Sequence, residues 1–275
     1  MPSFRFADTA ANIAREGGAL LMEYFRRRVT VEYKAEADLV TEADRACEEL
    51  LTRRLRAQWP EHEIMAEEGA RHSSGSGFKW YVDPLDGTTN FAHGFPVFCI
   101  SLGLEYNGEL AAAVLFDPSR DEMFLAEKGS GAVLNGRPIH VSRTARLSES
   151  LLGTGFPSQK RHKNPNIHFY QSFTMRSHGV RRAGSAALDL ASVACGRFDG
   201  FWEFNLNPWD TAAGVLLVRE AGGLVTGFSG QPFDISSREV LASNGLIHRE
   251  LLATMADVFA ARDLEPLPSP AAWKA

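Results

Sequence analysis

The sequence predicts a mixed fold, α+β in its first half and α/β in its second, on three observations. Two amphipathic stretches open the chain. Between residues 97 and 142, strand-like runs alternate with Asn-Gly and Asp-Pro-Ser-Arg turns, the pattern of an antiparallel meander. Beyond residue 150, helical and extended stretches take turns, as they do in α/β proteins. The predicted halves are 1–145 and 146–265, joined near the polar "RTARLSES" at 143–150, with a Pro-rich, loosely held tail over 266–275. Ligand sites commonly form between such halves.

Each element has its own signal. Phe6, Ile13, Ala14, Leu20, Leu21 and Tyr24 recur at near-helical spacing within 5–27 and give an amphipathic helix. A second helix begins near Thr41 and is stopped by Pro60. Its entry, Thr41-Glu42-Ala43-Asp44, has the form of a capping box with Asp in place of Glu. "HEIMAEE" reads as a short strand, "GARHSSGSG" as a polar loop, and "KWYVDP" as an apolar strand ended by Pro84. After the meander come strand-like "LLGTGF" and a helix over 161–176. "GVRRAGSAALDLASVACGRFDGFWEF" then reads strand, helix, strand. "NPWDTAAGVLLVREAGGLVTGF" gives a helix closed by Gly222-Gly223 and one more strand.

Composition narrows the function. A chain of 275 residues, 44% hydrophobic and 23% charged, can bury a sizeable core as an ordinary globular protein. The 29 basic and 34 acidic residues leave a net charge of −5, with no basic patch of the kind a nucleic-acid backbone needs. Cys47, Cys99 and Cys195 lie far apart and form no C-x-x-C pair, which favours reduced thiols over a disulfide scaffold or a thiolate metal site. "MPSFRFADTAANIAREGG" lacks an apolar core with a cleavage motif, and the longest apolar-leaning run, "FPVFCISLGL", is too short to span a bilayer. The expectation is a cytoplasmic protein without a membrane or nucleic-acid partner.

The informative stretch is "VDPLDGTTNF" at 82–91, with Asp83 and Asp86 three positions apart. Two carboxylates held about 4 Å apart at an effective dielectric near 20 repel by roughly 4 kcal/mol. Solvent, a hydrogen-bond cage or a cation must offset that. Taken alone, Asp-Pro and Asp-Gly are turn dipeptides whose side chains cap their own backbone. The preceding apolar strand, however, delivers both acids at its C-terminal end, where α/β proteins place ligands. Other acids stand at similar junctions: Glu67 and Glu68 after "HEIMA", Asp210 in "NPWDTAAG" at a helix start, and Asp38 and Asp44 on either side of "LVTEA".

Each of these has an ordinary explanation as a cap, a first-turn acid favoured by the helix dipole, or a surface charge. Together, Glu67, Asp83, Asp86 and Asp210 are four hard oxygen donors suited to Mg²⁺. The eight histidines show no H-x-x-x-H spacing, which disfavours zinc. An acidic cluster holding two cations is the recurrent arrangement for phosphate-ester hydrolysis. Backbone N–H groups of Gly87 and Thr88 could hold phosphate oxygens if a helix begins there.

"WYVDPLDGTTNF" and "NPWDTAAGVLLVREAGG" resemble the two signatures of the inositol monophosphatase family, and "DLVTEAD", "EEG" and "RRAGSAALDLASVACGRFDGFWE" match its other blocks in order. The similarity runs from about residue 34 to about residue 228, nearest the bacterial inositol-1-monophosphatase branch. It implies an αβαβα layered sandwich, usually a homodimer, dependent on two or three Mg²⁺ ions and often sensitive to Li⁺. By resemblance, Glu67, Asp83 and the Leu85 carbonyl hold a first Mg²⁺; Asp83, Asp86 and Asp210 hold a second; a third lies beside Glu67.

Asp44 and Thr88 match the pair that orients the attacking water, so Glu67, Asp44 and Thr88 form the implied catalytic set. On the substrate side, Asp86, Gly87, Thr88, Gly184, Ser185, Ala186 and Glu203 match, the last as acceptor of inositol hydroxyls. Lys34 stands one residue out of the family spacing to "DLVT" and receives no role. Arg181 and Arg182, opening a strand, are expected to be structural. The implied reaction is in-line hydrolysis of a phosphate monoester without a phosphoenzyme. Alternatives are fructose-1,6-bisphosphatase, adenosine 3′,5′-bisphosphate phosphatase, histidinol-phosphate phosphatase, or a relative with an added role at RNA polymerase.

Overall fold

The computed structural model describes residues 5–27, 31–35, 38–156 and 164–261, with 31–35 and 38–40 by backbone alone. Helix α1 (Ala7–Arg27) precedes an antiparallel pair, β1 (Val31–Ala35) and β2 (Asp38–Thr41), and then α2 (Glu42–Gln58). Next come β3 (Glu63–Ala66), β4 (Arg71–His72), β5 (Phe78–Asp86) and a short α3 (Thr88–Ala92). The meander follows as β6 (Cys99–Tyr106), β7 (Glu109–Asp117), β8 (Glu122–Glu127), β9 (Ala132–Leu134) and β10 (Arg137–Ile139). The rest runs β11 (Leu151–Thr154), α4 (Asn166–Arg176), β12 (Gly179–Arg181), α5 (Ala186–Ala194) and β13 (Gly200–Phe204). It closes with α6 (Pro208–Glu220), β14 (Leu224–Thr226), β15 (Glu239–Ser243) and α7 (His248–Phe259).

These elements stack in five layers. An eight-stranded sheet in the order β10-β9-β8-β7-β6-β5-β3-β4 is antiparallel except where β3 runs parallel to β5. Helices α1 and α2 cover one of its faces, burying Leu21, Leu51 and Leu55 against Trp80, Ile100 and Leu102. Helices α5 and α6 lie on the other face and also touch the second, five-stranded sheet, β12-β11-β13-β15-β14. One core therefore joins Leu115 and Phe124 of the first sheet to Leu190, Leu216, Phe201 and Val240. Beyond the small sheet, α4 and α7 bury Phe173, Leu251 and Met255 with Trp202. The result is αβαβα. Each fully buried large side chain contributes about 1.5–3 kcal/mol, so all the interfaces between layers are apolar seams.

Several sequence expectations change in detail. Strand β5 is not ended by Pro84; it runs on to Asp86. Proline has no N–H for a ladder, but Pro84 falls within the register shift between Asp83 and Asp86, so the irregularity absorbs it. The polar loop after β3 contains a two-residue strand, β4, that pairs back onto β3. The helix expected over 161–176 begins at Asn166 among the described residues. Strand β15 and helix α7 had no counterpart in the sequence reading, and residues 266–275 lie outside the described residues.

Candidate active site

Strand β5 delivers the first two acids. Its apolar residues Trp80, Tyr81 and Val82 are buried, so the strand end is fixed and Asp83 is carried inward to 1% exposure. The Leu85 N–H donates to Asp83 Oδ1 at 2.9 Å, closing a tight turn, while the Leu85 side chain is buried in the core beside α2. Gly87 then adopts φ +101°, and a Cβ there would lie 2.7 Å from the Val97 carbonyl. Only glycine suits that turn. Helix α3 does begin at Thr88, as the phosphate-cradle expectation requires.

The remaining acids are brought in by their own neighbours. Glu67 follows β3, whose parallel pairing with β5 continues in a bond from Glu67 N–H to the Val82 carbonyl at 3.1 Å. Asp210 is the third residue of α6 and completes a capping box, accepting the Asn207 N–H at 2.7 Å. Two features bring that helix start to Asp83. Gly103 lets α6 lie directly on β6, since a Cβ there would meet Ala212 Cβ at 2.4 Å. Ser101, paired across from Asp83, donates to the Trp209 carbonyl at 3.1 Å, one residue before Asp210.

Asp86 is tied to α5. Its Oδ2 accepts from Ser185 Oγ at 2.6 Å and from the Ala187 N–H at 2.7 Å. Gly184 sits beside this start at φ +88° and is bound through its carbonyl to Asn90 Nδ2 at 3.3 Å. Asp44 is held within its own capping box and also accepts from Thr88 Oγ1 at 3.0 Å; the same hydroxyl lies 3.0 Å from the Leu85 carbonyl. One hydroxyl thus links the α2 acid to the carbonyl of the Asp83–Asp86 turn.

Electrostatics show that the four acids meet. Burial, then Glu67, Asp86 and Asp210, and a hydrogen bond shared with Glu67 push the Asp83 carboxyl well above its ordinary value. Burial, opposed by the Asn207 N–H and reinforced by Asp86 and Glu203, takes Asp210 up to about 8. Glu203, at the end of β13 and 9% exposed, also reaches about 8 through burial and Asp86, moderated by Arg182. Burial likewise raises Asp86 and Asp44.

Among the described residues no three acidic, histidine or cysteine side chains already stand as a metal cage. The fit is one of chemistry: hard oxygen donors, buried together and mutually repelling, whose charge a divalent cation would neutralise.

Sequence reasoning missed some participants. Arg182, exposed just after β12, acts electrostatically on Glu203, an influence its place at the strand end did not announce. Asp189 on α5 is buried, and its Oδ2 has no hydrogen-bond partner among the described residues. Burial, with Glu203 and Asp86, pushes its carboxyl well up. Its place inside the apolar "AALDLASV" was the available signal. Glu48 and Ser101 gave no signal beyond their positions one helical turn from Asp44 and across from Asp83. The side chains of Lys34 and Asp38 lie outside the described residues.

A layered αβαβα sandwich with carboxylates converging at a strand end, next to a glycine turn and a helix start, defines a phosphatase of the hydrolase class. The chain belongs to the inositol monophosphatase family, whose model matches residues 5–260. Members of that family are generally metal-dependent. The chain is 44% identical over 252 residues to an inositol-1-monophosphatase of Synechocystis sp., covering 90% of this chain and 88% of that one. It is equally 44% identical to the Nus factor SuhB of Pseudomonas aeruginosa, covering 90% of this chain and 94% of the relative. The inositol monophosphatase structure from Anabaena superposes with a TM-score of 0.84 at 42% identity, covering 98% of each chain. The IMPase structure from Thermotoga maritima gives 0.86 at 40% identity, covering 92% of this chain and 98% of that one. Among the described residues no helix is long and apolar enough to cross a membrane.

Proposed function

We propose that this protein hydrolyses inositol monophosphate to inositol and phosphate with Mg²⁺ as cofactor. The observation that carries the reading is Asp83, buried in direct electrostatic reach of Glu67, Asp86 and Asp210, which come from separate segments of the chain. Glu67, Asp83, Asp86, Asp210 and the Leu85 carbonyl would hold the ions. Mg²⁺ bound there supplies an acidified water and neutralises charge on the ester and its departing alkoxide. The chain's own residues do the rest. Thr88, held by Asp44, orients the attacking water with Glu67. The N–H groups of Gly87 and Thr88 face the phosphate, Ser185 and the Ala187 N–H fix Asp86, and Ala186 lines the substrate side. Gly184 borders the substrate.

Glu203, ionised once a cation neutralises the neighbouring Asp86 charge, accepts hydroxyl hydrogens of the polyol and disfavours a second phosphate. Arg182 tempers the Glu203 charge at the pocket edge. Family membership supports a homodimer, Li⁺ sensitivity and a cytoplasmic setting. The test is phosphate release from inositol 1-phosphate, fructose-1,6-bisphosphate and adenosine 3′,5′-bisphosphate, with and without Mg²⁺. Turnover of inositol 1-phosphate in Mg²⁺ is expected to exceed the other two; preference for a bisphosphate overturns the substrate assignment. The Nus factor name of one relative favours a second role at the transcription machinery, which a pull-down with RNA polymerase would test.

A further inference from the structure

The loop that carries Glu67 has little apolar anchorage of its own, yet its backbone is held from beneath by one buried side chain. Glu48 lies on α2, one turn after Asp44, and is 6% exposed. Its Oε2 accepts the Glu68 N–H at 2.6 Å and its Oε1 accepts the Ala70 N–H at 3.0 Å. A carboxylate buried on a helix face is costly unless its oxygens are satisfied. Here both oxygens are used by backbone donors from a segment about twenty residues away. The loop closes on itself through Ala66 N–H to the Ala70 carbonyl at 3.0 Å. From the other side Arg71 donates to the Ala66 carbonyl and lies over the Trp209 ring, 5.6 Å from its centroid and one residue before Asp210.

Asp44 does the parallel job for the second loop, through Thr88 and the Leu85 carbonyl. Adjacent turns of one helix therefore fix two of the three segments that would supply metal ligands, the third being the start of α6 with Asp210.

We propose that Glu48 is a positioning residue for the metal site: by accepting the Glu68 and Ala70 N–H groups it sets where Glu67 presents its carboxylate. It touches neither substrate nor reacting atoms. The inference rests on the Mg²⁺-dependent reading above and adds a residue that acts through Glu67. Glu48→Gln preserves shape but replaces one acceptor oxygen with a donor, so one of the two loop N–H groups faces an N–H. The cost falls on metal capture more than on chemistry, in the range of outer-shell partners of metal ligands, about 10- to 100-fold in apparent metal affinity.

The experiment measures three quantities on wild type and Glu48→Gln. They are the Mg²⁺ concentration for half-maximal phosphate release, the thermal midpoint with and without Mg²⁺, and amide exchange across residues 66–71. Expected are a half-saturation raised about tenfold or more, kcat at saturating Mg²⁺ within about threefold of wild type, a diminished Mg²⁺-induced thermal shift, and faster exchange confined to 66–71. Glu48→Asp, which keeps both acceptor oxygens, should recover part of the affinity. A lowered metal-free midpoint with unchanged Mg²⁺ half-saturation would make Glu48 merely structural and overturn the proposal, as would a wild-type exchange pattern. If wild type itself shows no Mg²⁺-dependent hydrolysis, the functional reading fails instead, and the exchange measurement still decides whether Glu48 holds the loop.

Discussion

Two Asp-Pro dipeptides stand in strands of the same large sheet, one inside β5 and one at the end of β7, and they have opposite surroundings. Asp117, before Pro118 at the end of β7, is fully buried and completely served by its own turn. Its Oδ1 accepts from Ser119 N–H at 2.8 Å, Ser119 Oγ at 2.7 Å and Arg120 N–H at 3.1 Å, while Oδ2 takes Arg120 Nη1 at 2.7 Å. Asp83, before Pro84 in β5, is as deeply buried and accepts the Leu85 N–H, but its other close company is acidic. One carboxylate is neutralised by the chain that carries it. The other is arranged so that neutralisation must come from a proton or a cation. That contrast separates a turn-forming aspartate from a ligand.

The largest effects should come from exchanging the two. Asp83→Asn is expected to lower Mg²⁺-dependent turnover by more than about 100-fold, beyond the cost of losing an outer-shell partner. It should also raise the thermal midpoint of the metal-free protein, because one of four repelling acids becomes neutral. Asp117→Asn should do the reverse. Losing charge-assisted bonds in a buried turn costs about 2 kcal/mol of stability, read by denaturant unfolding, with turnover per folded molecule unchanged.

A backbone test sharpens the same comparison at smaller scale. Gly87→Ala places a Cβ 2.7 Å from the Val97 carbonyl at φ +101°. The strain, about 1–3 kcal/mol, is expected to appear as a roughly tenfold loss of turnover as the Leu85–Thr88 turn shifts. Unchanged turnover would mean that the turn is not part of the catalytic geometry.

The pH dependence of stability gives the smallest but most diagnostic effect. Asp210 and Glu203 are pushed up to about 8 in the folded chain, far above unfolded carboxyls near 4. The folded state therefore binds more protons, and stability falls as pH rises from about 4 to about 8. His248, buried between Ser243 Oγ and Thr226 Oγ1, is shifted down by burial. Its contribution is present above the unfolded value and is lost as pH falls below about 6.5. Between about 6.5 and about 8 only the carboxylates tilt the balance. The metal-free thermal midpoint should drop across that window, and added Mg²⁺ should stabilise more at the upper end. A flat profile without metal would contradict the buried repulsion.

Much of this was legible in the sequence because local chemistry and tertiary role coincide. The Thr41–Asp44 capping box forms as expected, and Asp44 reaches Thr88 as well. Asp210 is both a helix-start acid and a partner of Asp83. What stayed hidden depends on pairing across the chain. Pro84 looked like a strand end because proline cannot join a ladder, and only the partner register reveals the shift that admits it. Glu48 reads as one more charge on a helix that mixes acids and arginines, since its two N–H partners are distant in sequence. Ser101 is an ordinary strand serine until its carbonyl partner at Trp209 is known. The αβαβα order came from family resemblance, because periodicity alone does not say which sheet a helix faces.

Calorimetric titration of Mg²⁺ into metal-free wild type, Asp117→Asn and Asp83→Asn proteins addresses the shared acidic site most directly. Saturable binding is expected in wild type and Asp117→Asn, with binding lost or weakened by more than about 100-fold in Asp83→Asn. Equal Mg²⁺ binding by all three proteins would show that the four converging carboxylates are not the metal site.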